Sequence, residues 1–436
     1  MEGSEKRWWH VLRNEEKVFA FFCSALMVSY IFWTLLNSIL SLLFLAYWIF
    51  FSEKEFSWKS ARSRWVILFC LLYFMTVVGC FYSANMKHAL FKLQQRSAFL
   101  LFPVIFGTVG VLSTRLLRNC FRSFTSAVLA GCVVCFAKGV YDYLKTGHKE
   151  SLFGYDLVIL RDMTPYTFSL CCLLAILFLL HTLYLRKKHQ GQFRSSDLVE
   201  LVMALAILFS LLVFGNRNIL MLTFGICIFY GISVLSRIRH KIWAGLVIIA
   251  IFAGAIRVNP FLNRQWNELT DFSSQNTIQL DKDASLGRSW GGKQLRLAIW
   301  KCSMDVIRRH WFSGVGTGDA QDSLQAAYEQ RKFYFASRYN RYNTHNQYLQ
   351  EFVTYGIVGL LIFVVCLAAP FSVKFTYSQR QFYWIFLLAF ALACITDTPL
   401  DLNKGIIWYA FFNALIFFTY YNYKFKSTNG NAQPEF

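Results

Sequence analysis

The sequence predicts an all-α polytopic membrane protein whose helices cross the bilayer about twelve times. Hydrophobic residues make up 56% of the 436 positions, whereas charged residues make up 16%. Apolar runs close to the ~18 residues that span a bilayer recur from one end of the chain to the other. We therefore expect no separate soluble domain, and no cleavable signal pattern precedes the first run.

The predicted spans follow from these apolar runs, taken in chain order with a window of ~20 residues. They lie near residues 18–34, 36–51, 65–83, 97–113, 123–143, 164–185, 198–214, 218–235, 242–256, 347–369, 382–397 and 405–420. The first two form a tight pair around Asn37 and Ser38. Three regions follow: residues 1–256 with spans one to nine, residues 257–346 as one large loop with amphipathic helices, and residues 347–436 with the last three spans and a tail.

Basic residues are concentrated in alternate loops, and this asymmetry predicts the orientation. By the positive-inside rule the basic loops and both termini face the cytoplasm. The basic residues are Lys6, Arg7, Arg13, Lys17, Lys54, Lys59, Arg62, Arg64, Arg115, Arg118, Arg122, Arg186, Lys187, Lys188, Arg194, Arg237, Arg239, Lys241, Lys424 and Lys426. The opposite side then holds residues 84–96, 144–163, 215–218, 257–345 and 398–404. The formal charge of +20 is thus mostly a topology signal, and we expect no nucleic-acid binding.

The long segment 257–345 is the only predicted outer segment large enough to fold over the membrane. Its first part, 257–292, is predicted to be polar and irregular, and a helix is predicted from Lys293 to Trp311. The residues at helical spacing are Trp300, Met304, Ile307 and Trp311, with Arg296 one turn before Trp300. This helix either lies on the membrane or across the mouth of the bundle, or packs as an ordinary amphipathic helix with Arg296 snorkelling at its edge.

Two further stretches of this segment have a distinctive composition. Residues 313–319, Ser-Gly-Val-Gly-Thr-Gly-Asp, are predicted to be a flexible turn, because a dinucleotide site would need a preceding strand and another glycine spacing. Residues 325–343 interleave aromatic rings with guanidinium groups. They suit sugar faces and phosphates, and equally suit a membrane interface belt. The members are Tyr328, Arg331, Phe333, Tyr334, Phe335, Arg338, Tyr339, Arg341 and Tyr342.

A polar cluster, residues 342–348, ends the loop where the chain re-enters an apolar span. An imidazole there, that of His345, is costly unless the cluster binds or transforms something at the lipid surface. The alternative is a helix cap in which Asn or Thr does the capping and the histidine is incidental. Arg217 presents a similar choice, because a very short turn between two apolar spans forces it to snorkel or to face an anion.

Known metal and catalytic motifs do not occur in the sequence. It has no His-Glu-x-x-His, no Cys-x-x-Cys pair in a loop and no Walker sequence. Asp397 and Asp401 are four residues apart, but a proline intervenes and a metal needs more oxygen ligands. Asp281 and Asp283 are predicted to be solvated. Cys302 is the only cysteine of the long outer segment, so no internal disulfide can cross-link it. We expect no metal and no cofactor.

Several short motifs occur together in the second half of the chain. They are Arg296-x-x-x-Trp300, Trp311-x-x-Gly314-x-Gly316-x-Gly318, His345-Asn346-x-x-Leu349 and Gly356-x-x-Gly359. With about twelve spans and one large late loop, this arrangement resembles the O-antigen ligase and O-antigen polymerase superfamily of membrane glycosyltransferases. The resemblance covers most of the chain in topology and is most specific over residues 217–360. Tyr82-Ser83, Ala89-Leu90 and Leu100-Leu101-Phe102-Pro103 also resemble that family's third-to-fourth-span region.

The resemblance implies a GT-C-like fold and a glycan transfer from an undecaprenyl-diphosphate carrier, on the periplasmic side of the bacterial inner membrane. The family's essential groups map onto Arg217, Arg296 and His345. The two guanidinium groups would bind the donor diphosphate without a metal. His345 would act as general base in an inverting transfer, or bind the diphosphate as a cation. The further substrate-binding candidates are Asn346, Trp300, Arg338, Arg341 and Tyr342.

The acceptor distinguishes the branches of this family. Ligases use lipid A-core, polymerases use a second carrier-linked repeat, and a third branch, the protein O-oligosaccharyltransferases, uses protein hydroxyls. The placement of the two arginines and the histidine favours a ligase, and a short cytoplasmic tail argues against the third branch. A lipid-linked sugar transporter is the non-enzyme alternative, but it would more often show internal repeats. The expected partners are thus the lipid-linked donor, lipid A-core and membrane lipids.

Overall fold

Helices account for the regular structure of this chain. The computed structural model describes residues 2–54, 61–190, 195–235, 237–270, 290 and 292–428. Every regular element in these ranges is helical, which confirms the all-α prediction. The helices are α1 (Glu2–Phe32), α2 (Thr34–Phe50), α3 (Ala61–Cys80), α4 (Met86–Gln95), α5 (Ala98–Thr108), α6 (Thr114–Thr146), α7 (Pro165–Gln190), α8 (Ser195–Phe214), α9 (Arg217–Val234), α10 (Ile238–Val258), α11 (Pro260–Thr270), α12 (Gly292–Arg309), α13 (Ala320–Gln330), α14 (Gln347–Ala368), α15 (Tyr377–Ala393) and α16 (Asn403–Thr428).

Seven helices of the described ranges are long and apolar enough to cross a membrane, so the chain is a multi-pass membrane protein. These candidate spans are Arg62–Cys80, Thr114–Thr146, Pro165–Lys188, Ser195–Phe214, Arg217–Val234, Arg239–Val258 and Gln347–Ser372. Each coincides with one of the twelve predicted spans. The count of twelve is not confirmed, because the other five predicted spans do not meet the same requirement of length and hydropathy within the described residues.

The predicted span 97–113 differs most from the structure. Its helix α5 has only 11 residues. Where the helix ends, the guanidinium group of Arg62 donates to the carbonyls of Phe106 and Val109, which have no partner further along the helix. The preceding helix α4 is separated from α5 by Arg96, which is buried and paired with Glu351 on α14. A buried ion pair therefore precedes the predicted span, and the helix within that span is too short to cross a membrane.

The loops meet at two separate ends of the bundle. At one end, Ser52 donates to Glu15 at 2.6 Å, and the ammonium group of Lys188 lies 4.7 Å from the ring centroid of Tyr377. At the other end, Lys92 pairs with Asp401 at 2.6 Å. These contacts join loops that the charge pattern assigns to the same side. The assignment of the two ends to cytoplasm and periplasm stays a prediction.

The start of the long outer segment is helical, so the prediction of irregular structure over 257–292 is wrong for its first part. Helix α10 continues to Val258, and α11 follows after one residue. The side-chain oxygen of Asn259 accepts from the backbone N–H of Phe261 at 2.9 Å and of Leu262 at 3.1 Å. Pro260 then suits the first helical position, since it has no N–H to leave unpaired. Residues 271–289, with Asp281 and Asp283, lie outside the described ranges.

Helix α12 confirms the helix predicted from Lys293 to Trp311, but its buried face matches the predicted stripe only in part. Of the predicted stripe, Ile307 is buried and Trp300 packs against the buried face. Met304, in contrast, is 38% exposed, and Trp311 lies beyond the helix and is 59% exposed. Helix α12 instead packs small and aliphatic side chains against α13 and α14, in a second hydrophobic core separate from that of the bundle. The α12 residues in this second core are Ala298, Ile299, Cys302, Val306 and Ile307.

The glycine-rich turn, residues 313–318, is held firmly and is not the flexible turn that its composition predicts. The backbone N–H groups of Val315 and Gly316 donate to the carbonyls of Val353 and Thr354 at 3.0 and 2.9 Å. These carbonyls are free because α14 breaks at Gly356, where φ is +65° and ψ is −160°. The turn therefore fills a break in a membrane helix and fixes the second core to the bundle.

The other side of the glycine-rich turn contacts the segment between α3 and α4. Tyr82 donates to the carbonyl of Ser313 at 2.7 Å, and Ser83 accepts from the N–H of Gly318 at 2.9 Å. Asp319 accepts from the backbone N–H groups of Ala84 and Asn85 at 2.6 and 2.7 Å. These contacts give a structural role to the Tyr82-Ser83 motif.

Candidate functional site

A cavity of about 530 Å³ lies at the end of the bundle that carries the long outer segment. Its walls come from four of the five segments predicted to lie on the outer side: 144–163, 215–218, 257–345 and 398–404. The described residues that line it include Tyr155, Tyr166, Arg217, Phe261, Arg264, Glu268, Arg296, Asn343, His345 and Asp397. Residues far apart in sequence thus converge on one chamber at the bundle mouth.

Arg217 lies at the first position of α9, directly after a tight turn. Gly215 takes φ +72° in that turn, and a Cβ there would come within 2.6 Å of the Phe261 side chain. The guanidinium group of Arg217 donates to the carbonyl of Gln265 on α11 at 2.7 Å. Because α11 covers the turn, the arginine points into the cavity and does not extend freely into water.

Arg296 reaches the same cavity from α12. Its Nε donates to the carbonyl of Thr396 at 3.1 Å, and one terminal nitrogen donates to Gly292 at 3.4 Å. Arg217 and Arg296 are close enough for their charges to repel. Two guanidinium groups held near each other in this way form a site suited to a group with several negative charges.

His345 lies at the loop end of the cavity, in an uncommon backbone conformation with φ +46°. Its Nδ1 is buried, has no hydrogen bond among the described residues, and lies 3.6 Å from a carboxylate oxygen of Asp397. A carboxylate at that position favours a proton on Nδ1 and leaves Nε2 to accept a proton. The arrangement therefore suits an imidazole that acts as a base.

A chain of side chains holds the backbone of His345. Asn343 accepts from the N–H of His345 at 3.1 Å and donates to Asp401 at 3.0 Å. Asp401 in turn pairs with Lys92 on α4. Burial raises the pKa of Asp401, but the charge of Lys92 and the hydrogen bonds from Lys92 and Asn343 outweigh it, so this pKa lies below its usual range.

Asp397 and Asp401, which the sequence analysis considered as metal ligands, contact different residues. Asp397 lies beside His345, whereas Asp401 binds Lys92 and Asn343. The sequence analysis did not predict these contacts. The position of both aspartates, at the junction between two spans on the predicted outer side, indicated that they could lie near the site. Their partners come from distant segments, which no local pattern reveals.

The five further substrate-binding candidates are absent from the described residues that line the cavity. Asn346 caps α14 by accepting from the N–H of Leu349 at 3.1 Å, so its capping interpretation is confirmed. Trp300 donates to the carbonyl of Thr344 at 3.0 Å and thereby supports the chain next to His345. The ring of Tyr342 lies 5.4 Å from that of His345.

The two arginines of this set lie on the surface. Arg338 stacks over the ring of Tyr334 at 4.3 Å, and Arg341 lies 3.5 Å from Asp322 with its side chain 65% exposed. Both are therefore outside the chamber, on the aromatic and arginine-rich stretch beside it. A direct contact with the reacting group is not expected from this position.

Aromatic side chains that the sequence did not single out form part of the cavity wall. The rings of Tyr155 and Phe261 meet edge to face at 4.9 Å. Burial raises the pKa of Tyr155, while a hydrogen bond with Gln265 and the charges of Arg296 and Arg217 act against that rise. Such rings offer apolar faces to a sugar, and the phenol keeps its proton near neutrality.

Part of this chain matches a known protein family. Residues 201–364 match the family model described as O-Antigen ligase. The matched range contains Arg217, Arg296 and His345 and ends before Asp397. The match confirms the resemblance to the O-antigen ligase and polymerase superfamily. A search of curated proteins finds no match.

Proposed function

We propose that this chain, a member of the O-antigen ligase and polymerase superfamily, transfers an O-antigen or related glycan from undecaprenyl diphosphate to lipid A-core. The observation that carries the proposal is that Arg217, Arg296 and His345 line one cavity. A lipid diphosphate needs cations beside the leaving group, and the acceptor hydroxyl needs a base. In this proposal the cavity faces the periplasm and both termini are cytoplasmic.

The two arginines bind the diphosphate of the donor. As the bond between the sugar C1 and the phosphate oxygen breaks, both electrons of that bond stay on the diphosphate, and its negative charge increases. Arg217 and Arg296 already donate to backbone carbonyls, so their remaining N–H groups are oriented before the donor arrives. Preorganised donors of this kind stabilise the developing charge without a metal.

His345 takes the proton of the acceptor. The acceptor oxygen attacks C1 from the face opposite the diphosphate, which inverts the anomeric centre, and its proton passes to Nε2. The ring then carries a positive charge, and the carboxylate of Asp397 beside Nδ1 stabilises it. Undecaprenyl diphosphate leaves, and the new glycosidic bond joins the glycan to the acceptor.

The acceptor is tested with the purified full chain and a carrier-linked glycan donor. We expect transfer to lipid A-core, with little joining of two carrier-linked repeats and none to protein hydroxyls. Efficient joining of repeats without transfer to lipid A-core would assign the chain to the polymerase branch. Movement of the donor across vesicle membranes without any transfer product would instead favour a transporter. We expect chelators to leave the rate unchanged, because the arginines neutralise the leaving group.

The roles of Arg217 and Arg296 are tested by substitution, with a control arginine on the helix that carries Arg296. We expect Arg217→Ala and Arg296→Ala each to lower transfer by about 10²–10³-fold, the usual loss for a donor to a developing charge. Lysine at either position should restore only part of the rate, because an ammonium group lacks the planar fork. The control is Arg308→Ala, since Arg308 also lies on α12 and its side chain is 75% exposed. Equal losses in Arg308→Ala and Arg296→Ala would contradict the assignment.

A further inference from the structure

A second cavity, of about 330 Å³, lies at the opposite end of the bundle from the candidate active site. It is bordered by α6, α7, α8, α15 and α16. Its inner wall is apolar, with the rings of Phe121 and Phe178 stacked at 4.9 Å. Its polar border includes Arg118, Arg122 and Arg186. The chamber thus combines an apolar interior with a cationic rim.

Two of the three arginines at this rim, Arg118 and Arg122, have no carboxylate partner among the described residues. Arg186 pairs with Asp197 and Glu200 on α8. For Arg118 and Arg122, by contrast, no ion pair with a carboxylate occurs among the side chains that the structure describes. Arg118 also experiences repulsion from Arg122, Arg186 and Arg115. Positive charges gathered without counter-charges favour the binding of an anion.

A buried amide points to the same ligand. Gln379, at the start of α15, is 3% exposed and lines the cavity. Neither its side-chain nitrogen nor its side-chain oxygen has a hydrogen-bond partner in the described part of the chain. A buried amide without partners is costly, so such a group in a cavity indicates a ligand that supplies the missing hydrogen bonds.

We propose that this cavity binds the phosphate group of an anionic lipid, with Arg118 and Arg122 on the phosphate and Gln379 on a polar atom of the headgroup. The apolar wall favours an amphiphile over a free anion, because acyl chains can cover Phe121 and Phe178. By the positive-inside prediction, this end faces the cytoplasmic leaflet, where basic pockets between spans meet anionic headgroups. The site would be separate from the cavity of Arg217 and His345.

The test uses the full chain in detergent, titrated by native mass spectrometry with dioleoyl phosphatidylglycerol, dioleoyl phosphatidylcholine or inorganic pyrophosphate. We expect phosphatidylglycerol to bind best. Arg118→Gln and Arg122→Gln should each weaken it about tenfold, as for one charge-assisted hydrogen bond. The control is Arg115→Gln, which removes the same charge from the same helix at an exposed position outside the cavity lining. Because Arg115 does not line the cavity, its charge acts on the ligand only at longer, screened range, so the control should change binding less than about twofold.

Three results would overturn the proposal. The first is equal binding of the two lipids, since headgroup charge would then not be recognised. The second is an equal loss in Arg115→Gln and Arg122→Gln, which would indicate a general surface effect. The third is pyrophosphate binding as tight as that of phosphatidylglycerol, which would identify a free anion site and exclude the lipid.

Gln379→Leu gives a second test. Its effects on the unfolding temperature and on lipid affinity distinguish a ligand site from a structural contact. Leucine fills the same space without an unpaired amide, so the lipid-free protein should unfold at a higher temperature. The affinity for phosphatidylglycerol should fall at the same time. A lower unfolding temperature together with unchanged lipid affinity would show that Gln379 serves the fold and not a ligand.

Discussion

His345 is held in a backbone conformation that residues with a Cβ rarely adopt, at φ +46°. Such conformations cost about 1–3 kcal/mol and persist when surrounding contacts determine them. Here Asn343 binds the backbone N–H of His345, and Thr344 donates its hydroxyl to the carbonyl of Asn346 at 2.8 Å. The imidazole is therefore positioned by the protein before any substrate binds.

His345→Ala should lower transfer by about 10²–10⁴-fold, the usual loss for a missing general base. The variant should still bind the lipid-linked donor, because Arg217 and Arg296 hold the diphosphate. The measurements are the transfer rate and donor affinity of the purified protein. An unchanged transfer rate in this variant would exclude His345 as the general base. Loss of donor binding, with normal donor binding by Arg217→Ala, would make His345 the diphosphate ligand and exchange the two roles.

A substitution of Asp397 tests the proposed role of His345 independently. Asp397→Asn keeps the size of the side chain but removes the charge beside Nδ1, so a protonated ring is less stable. We expect a lower transfer rate and unchanged donor affinity, with an effect smaller than that of His345→Ala. The control is Asp305→Asn, since Asp305 is a carboxylate that accepts from Arg331 and lies in the second core region away from the cavity. A larger loss in the control than in Asp397→Asn would exclude the proposed role.

Among the helices, α14 is the element that connects the two cores. Its break at Gly356 presents carbonyl groups to the glycine-rich turn, and the N–H of Ile357 donates to the carbonyl of Trp311 at 2.9 Å. A Cβ at Gly356 would lie 2.1 Å from the carbonyl oxygen of Phe312, and a Cβ at Gly314 would lie 2.4 Å from Thr354. The backbone of the glycine-rich turn thus contacts the backbone of α14 at positions where only glycine leaves room.

Gly356→Ala should destabilise the protein by about 1–3 kcal/mol or more, because its φ and ψ are nearly restricted to glycine. The measurement is the unfolding temperature in detergent. The control is Gly225→Ala on α9, where an added Cβ meets nothing within 4 Å, so the helix should if anything become slightly more stable. A stable Gly356→Ala variant would mean that the break in α14 can close without cost.

On the scale of the whole molecule, the sequence predicted the helical class, seven of the spans and the convergence of Arg217, Arg296 and His345. These depend on apolar runs, loop charges and motif resemblance. The buried pairing of Arg96 was missed because its partner Glu351 is 255 positions away in the sequence. The buried face of α12 was missed because Trp311 and Met304 fit a helical period equally well. The proximity of Asp397 to His345 depends on tertiary contacts alone.

The predicted sidedness is tested with single cysteines placed at residues 190 and 280. We expect a membrane-impermeant maleimide to label residue 280 from the periplasm and residue 190 only after the membrane is opened. The native cysteines should interfere little, because all except Cys227 are buried, and burial raises the pKa of the Cys302 thiol to about 12. Labelling of both positions from one side would contradict the proposed topology.

The convergence of distant segments on one cavity also has a consequence for the order of synthesis. Arg217 leaves the ribosome before His345 and Asp397, which follow more than a hundred residues later. At the ~5–20 residues per second of translation, the arginine waits roughly 10 seconds or longer for the remaining walls. The cavity of a nascent chain therefore stays incomplete until the turn before α16 has been synthesised. The last loop to be made completes the site.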